Sequence, residues 1–233
     1  MKLSVIKING EKSQLFTTLK HSGLPQEHEL DHVLVDHIPS LVGILKNSNF
    51  VIKFIKARSW HEYIKLLWNH SRITKEIKGS KLLESLGLTV PVIYETGLGI
   101  IPSRKHEYIG YYIMENLTQS GFQELSKLIR DNVIDAPMRH KIMTSVYDGL
   151  KIMRDNRIVF SDFHLDNIFA DSNGNITWID PGVTTYSIMN EKKFRDKLNY
   201  SINRYIFYCN DRGNTLSDEE TDMFRNLLIP PHS

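Results

Sequence analysis

The stretch that most constrains this chain is Phe160-Ser161-Asp162-Phe163-His164-Leu165-Asp166-Asn167, followed by Asn173-Gly174 and then by Trp178-Ile179-Asp180-Pro181-Gly182. Asn167-Ile168-Phe169 and Asn175-Ile176-Thr177-Trp178-Ile179 flank the Asn-Gly pair. Asn-Gly between two apolar, β-prone runs is a strong hairpin signal, because both residues tolerate positive φ. The chain therefore offers an Asp, an Asn after four intervening residues, a strand-turn-strand, and an Asp-x-Gly. Two carboxylates and an amide, separated in order, are expected to converge around one small hairpin.

The rest of the chain reads as a compact protein with this stretch in its second half. Its 233 residues suffice for one large domain or two small lobes. Hydrophobic residues make up 41% and charged residues 24%, as in globular proteins. The 29 basic and 27 acidic residues are too balanced to point to nucleic acid. A single cysteine, Cys209, excludes an internal disulfide and suits a reducing compartment. Met1 to Lys7 lacks a long apolar core, and no apolar run is long enough to cross a bilayer. The expectation is a cytoplasmic protein, with contact to a membrane from the inside as an option.

Residues 1 to about 38 read as irregular, with a short strand at Val33-Leu34-Val35. Ser40 to Lys46 and Phe50 to Ile55, joined by Asn47-Ser48-Asn49, predict a β-hairpin. Ser59-Trp60-His61-Glu62 has the form of a capping box and predicts a helix through Trp68. A second helix is predicted from Ser71 to Leu86, stopped by Gly87 and Pro91. Strands follow at Val90 to Gly97 and Glu107 to Glu115. Helices are then predicted at Gly121 to Val133, Ala136 to Asn156, Glu191 to Asn210 and Ser217 to Leu228. The order predicts α+β with two parts: a β-rich part over 1–115 and a helical part over 116–233.

Phosphoryl transfer needs positive charge on the phosphates, a divalent metal and an oriented hydroxyl. Lys53, within Phe50-Val51-Ile52-Lys53-Phe54, can reach phosphate oxygens from a cleft-facing strand. Taken alone it also reads as a solvated edge-strand lysine. Glu76 lies near the apolar stripe of its helix, while Lys75, Lys78 and Lys81 take the wet side. A carboxylate on a buried face needs a partner, and Lys53 is the natural one. Asp162 can accept a hydrogen bond from an attacking hydroxyl and later its proton. Taken alone it reads as a turn-forming residue. Asn167 and Asp180 offer hard oxygens to magnesium, with water and phosphate filling the remaining positions.

With these residues in hand, the chain resembles the protein-kinase-like superfamily. Within it, the chain looks most like the small-molecule branch of aminoglycoside and choline kinases and, more narrowly, the bacterial lipopolysaccharide core (heptose/Kdo) kinases. Asp162, His164, Asn167, Asp180 and Gly182 match a loop that in those families reads His-Gly-Asp-x-His-x-x-Asn followed by Ile-Asp-x-Gly. The resemblance covers roughly residues 40–185. It implies a bilobal protein-kinase-like fold with a nucleotide-clamping sheet and a short helical second lobe. It implies catalytic roles for Asp162, Lys53 and Glu76, and magnesium held by Asn167 and Asp180. Met114, Glu115 and Leu117 would lie at a hinge beside the adenine of ATP. The implied acceptor is a sugar hydroxyl, most closely in the lipopolysaccharide inner core, and the implied state is a monomer at the cytoplasmic face of the inner membrane. The short chain, the extra helix between Lys53 and Glu76 and the Gly87-x3-Pro91 stop favour that branch. A regulatory nucleotide-binding module without turnover, or an aminoglycoside- or choline-type kinase, remains open.

Three departures from the family pattern stand out. No Gly-x-Gly-x-x-Gly precedes Lys53, Phe160-Ser161 replaces the usual pair before Asp162, and Pro181 stiffens the Asp-x-Gly turn. His164 reads as a residue that shapes the loop. The ten histidines show no zinc spacing, and there is no Gly-x-Ser-x-Gly for acyl transfer. Basic and aromatic residues from Lys56 to Lys78, and Lys192-Lys193-Phe194-Arg195, allow contact with anionic lipid or a sugar phosphate.

Overall fold

The computed structural model describes the chain apart from residues 1, 9–11, 21–28, 38, 60, 68–70, 100–107, 212, 214 and 231–233. The fold is α+β. It divides into two compact units, Met1–Ile77 with Pro91–Ser120 and Lys78–Val90 with Gly121–Ser233.

The first unit is built on β1 (Lys2–Ile8), β2 (Lys12–Lys20), β3 (Leu30–His37), β4 (Ser40–Leu45), β5 (Phe50–Lys56), β6 (Ile93–Gly99) and β7 (Tyr108–Glu115), with α1 (His61–Leu67) and α2 (Arg72–Ser85) between β5 and β6. The strands form one antiparallel sheet in the order β1-β2-β6-β7-β5-β4-β3. This corrects the irregular reading of residues 1 to about 38. β2 is held by a partner far along the chain, Phe16 facing Gly99 and Thr17 facing Leu98, and pairing of that kind leaves little local signal.

β5 is buried along both faces, so its sequence is an unbroken apolar run rather than an alternation. Ile52 and Phe54 point to a cluster with Phe16, Leu41, Tyr108 and Tyr111. Ile55 points to the opposite cluster, with Tyr63 of α1, Ile73 of α2, Ile109 and Tyr112. The period of two therefore places Lys53 on the side of Ile55, where α1 and α2 pack. The hairpin read from Asn47-Ser48-Asn49 is present, with Asn47 at φ 56° and Ser40 facing Ile55. Gly43 permits a close approach: a Cβ there would lie 2.9 Å from His32 O.

α1 begins at His61, and Trp60 and Trp68 of the predicted helix lie outside the described residues. The Glu62 carboxylate accepts from Arg58 N at 3.0 Å, one residue earlier than a Ser59 box would have it. α2 ends in a Schellman motif. Gly87, at φ 78°, donates to Glu84 O at 2.9 Å, and Leu88 N donates to Leu83 O at 3.0 Å. The boundary between the units falls inside α2, after Ile77.

The second unit contains β8 (Gln123–Glu124), α3 (Leu125–Arg130), α4 (Ala136–Asp155), β9 (Ile158–Phe160), β10 (Ile168–Ala170), β11 (Ile176–Trp178), β12 (Val183–Thr185), α5 (Glu191–Asp211) and α6 (Asp218–Arg225). The helix predicted over Gly121 to Val133 is shorter. Gly121 sits at φ 84°, and Gln123-Glu124 is drawn off to pair with Phe169 and Ala170. α4 starts where the Asp135 side chain accepts from Met138 N, with proline in its first turn. Its face of Ile142, Met143, Val146, Leu150 and Met153 packs in a core with Phe160, Phe163, Trp178, Tyr205 and Phe224. Gly149 lets α4 lie against the indole, since a Cβ there would come within 2.6 Å of Trp178 Cζ2. α6 carries a complete capping box between Ser217 and Glu220. The same Glu220 takes a two-pronged bond from Arg139 of α4, at 2.8 and 2.7 Å. Among the described residues, no helix is long and apolar enough to cross a membrane.

Candidate functional site

In the first unit, Lys53 is only 5% exposed, and its Nζ lies 3.1 Å from Glu76 Oε2. Burial explains the pairing, because an ammonium or carboxylate withdrawn from water without a partner costs several kcal/mol, of the order of 3–5 when one partner is removed. The Tyr112 hydroxyl donates to the same Oε2 at 3.0 Å, and Lys53 Nζ stands 5.8 Å above the Tyr112 ring. Tyr112 is the cross-strand neighbour of Lys53. No local pattern marks it, because its partner becomes visible only once β5 and β7 are in register.

The segment Met114 to Leu117 closes β7. Met114 is half-buried beside Ile55, Ile73 and Tyr112. Glu115 is tied to Val92 twice: its N–H donates to Val92 O at 3.1 Å, and its Oε1 accepts from Val92 N at 3.2 Å. The Glu115 amide is thus committed to Val92. The Leu117 side chain is buried.

In the second unit, Asp162 follows β9, with its side chain 63% exposed. Asn167 ends a 3₁₀ turn over Leu165–Asn167 and is buried. Its Nδ2 donates to the Asp162 carbonyl at 2.9 Å and lies 3.2 Å from His164 Nε2. Accepting that proton requires His164 to carry its own on Nδ1, which lies 3.4 Å from Asp166 Oδ2 without an aligned hydrogen bond. His164 therefore shapes the loop, as its position suggested. With its nitrogen occupied, Asn167 keeps its carbonyl oxygen for other use.

Asp180 has φ 50°, a left-handed conformation that costs a non-glycine residue about 1 kcal/mol. Two tight backbone bonds hold it, Gly182 N to Asp180 O at 2.7 Å and Val183 N to Pro181 O at 2.8 Å. Main-chain bonds also knit the three positions together. Ser161 N donates to Gly182 O at 3.2 Å, and Ile179 N donates to Asn167 O at 2.9 Å. β9 pairs with β12, and β10 with β11, so Asp162, Asn167 and Asp180 spring from one small scaffold. α2 presses on this scaffold at Gly79, where a Cβ would come 2.0 Å from Pro181 O.

Arg204 of α5 was not singled out in the chain. Its NH2 lies 3.3 Å from Asp162 Oδ1, and its guanidinium stands 4.9 Å over the Tyr208 ring. The hydrogen bond with Tyr208, outweighing partial burial and helped by the nearby Asp162, raises its pKa further, so it stays a cation at every working pH. A mid-helix arginine carries no motif, and only the fold of α5 beside β9 reveals it. Ser201 of the same helix donates to Phe160 O at 2.6 Å and fixes that approach.

Hard cations such as magnesium take a few carboxylate and carbonyl oxygens and keep water or phosphate oxygens for the rest. The free amide oxygen of Asn167 and the carboxylate on the rigid Asp180 turn fit that demand. No group of three His, Cys, Asp or Glu side chains among the described residues could hold a metal alone. An ion here would need oxygens from a ligand as well. Cys209 is buried, and burial pushes its thiol up to about 12, which removes it as a nucleophile. No protein-family model matches the chain, and no curated protein matches it.

Proposed function

We propose that this chain is an ATP-dependent phosphotransferase with a bilobal, protein-kinase-like architecture, whose acceptor is a sugar hydroxyl, most closely one in the lipopolysaccharide inner core. The observation that carries the reading is the linked loop pair: Asn167 spends its nitrogen on the Asp162 carbonyl while main-chain bonds join Asp162's strand to the Asp180 turn. In this reading Asp162 accepts the acceptor hydroxyl's hydrogen bond and takes its proton late in transfer. Asn167 and Asp180 hold magnesium, which supplies charge neutralisation at the transferring phosphate. Lys53, held by Glu76 and Tyr112, meets phosphate oxygens, and the Glu115 carbonyl and Leu117 amide, with Met114 beside them, meet the adenine. The protein acts as a monomer in the cytoplasm, at the inner membrane where such an acceptor is anchored, and needs no nucleic acid.

Gly43 favours a second reading. It serves packing against β3 rather than a phosphate-cradling loop, which suits a nucleotide-binding module without turnover.

One assay separates the two. Core lipopolysaccharide from cells lacking the protein is incubated with the purified chain, ATP and magnesium, then examined by mass spectrometry. The expected product carries one added phosphate, and chelation of magnesium prevents it. Asp162→Ala should lower transfer by at least about 100-fold with an unchanged melting temperature. Nucleotide binding with no transfer to any sugar acceptor would select the binding module. Full activity of Asp162→Ala would remove the assigned base.

A further inference from the structure

The turn leading into α5 displays two large apolar side chains in water. Ile188 is 80% exposed and Met189 94%. Both stand on a 3₁₀ turn, Ile188–Asn190, that is firmly tethered rather than loose. Arg157 donates to Tyr186 O at 3.2 Å and Ser187 O at 3.1 Å, and pairs with Glu191 at 2.5 Å. Its guanidinium also stacks 4.7 Å over the Phe194 ring, and Asn190 Nδ2 donates to Ser187 Oγ at 3.1 Å. Directly beside the turn, Lys192, Lys193 and Lys197 are exposed. Met189 and these lysines line an open hollow of about 350 Å³.

The acidic groups nearby do not cancel that charge. Glu191 is neutralised by Arg157, and Asp196, the one acidic residue lining the hollow, lies 3.9 Å from Arg195 Nε. Phe194, which the Lys192-Lys193-Phe194-Arg195 run offered as the apolar element, is buried in the core and unavailable. The apolar element is instead the preceding pair, Ile188 and Met189.

We infer that Ile188, Met189, Lys192, Lys193 and Lys197 form a docking surface for an anionic lipid bilayer. Two apolar tips projecting from a rigid turn suit the boundary between headgroups and acyl chains, and flanking lysines suit acidic headgroups. A nucleic acid would use the lysines but leave Ile188 and Met189 in water. A protein partner would require a broader apolar face than two side chains provide. The surface uses none of the residues assigned to phosphoryl transfer. It complements a membrane-anchored acceptor without depending on one.

The test is sedimentation of the full chain with vesicles of phosphatidylcholine alone and of phosphatidylcholine with phosphatidylglycerol. It reads binding alone, so its outcome is separate from that of the transfer assay. Binding to the anionic vesicles is expected, weakening as salt rises. Lys192→Ala/Lys193→Ala/Lys197→Ala should weaken it roughly 100-fold, each lysine near an anionic surface contributing about fivefold. Ile188→Ser/Met189→Ser should weaken it independently of salt. Both variants should melt like the parent, since none of the five side chains is buried. Equal binding to neutral vesicles, no binding at all, or binding unmoved by both variants would overturn the inference. So would a parent that self-associates in solution and becomes monomeric in the Ile188/Met189 variant, which would make the surface a contact between copies.

Discussion

Lys53, Glu76 and Tyr112 form a unit in which each member answers a cost created by another. Lys53 is buried because β5 is covered on both faces, Glu76 offsets its charge, and Tyr112 satisfies the carboxylate oxygen they share. Glu76→Ala is therefore expected to destabilise the fold by about 1.5–3 kcal/mol, by removing the carboxylate oxygen that Lys53 and Tyr112 share. The double variant with Lys53→Met should recover part of that loss, because the desolvated ammonium goes with the lysine. Chemical denaturation of the four proteins of the cycle decides it. Simple additivity would mean the pair is not coupled. The lysine and glutamate were legible because each residue type was out of place on an apolar face. Tyr112 and Arg204 were not, because a tyrosine in a strand and an arginine in a helix break no local rule.

Elements announced themselves in proportion to how local their causes are. The hairpins at Asn47 and Asn173-Gly174 and the stop of α2 at Gly87 all follow from residues within a few positions of each other. β2 and β8 did not show, since each pairs with a strand far along the chain. The turn between β10 and β11 has a pH dependence of its own. Burial works to raise the pKa of Asp171, but hydrogen bonds from Asn175 and Asn173 outweigh it, and the net shift is downward. A depressed folded-state value means the stabilisation is present above the unfolded aspartate pKa. It is lost as pH falls through the folded value. Melting of Asp171→Ala against the parent should differ most near neutral pH and converge in acid, and a constant gap would refute this. α2 meets the Asp180 turn with no room to spare. Gly79→Ala should cost about 1–3 kcal/mol by overpacking and, under the proposed function, depress phosphate transfer by displacing Pro181 and its neighbour Asp180. A variant as stable and active as the parent would show that the turn yields freely.

Neither unit of the molecule is a continuous stretch of chain. Residues 78–90 belong with 121–233, where Leu83 joins the core and Thr89 O accepts from Trp178 N at 2.9 Å. A fragment of residues 121–233 is accordingly predicted to lack a cooperative melt, and one that begins at residue 72 and carries α2 to fare better. A sharp transition in the shorter fragment would contradict this. The interleaving also governs the order in which the protein can mature during translation. β7 lies between β6 and β5 at the heart of the first sheet. β2 and β5 are thus synthesised early with bare edges, and they wait until residue 115 has been added before the gap between them is filled. Nascent chains of intermediate length, with two bare strand edges and an uncovered aromatic face, are the species most in need of a chaperone.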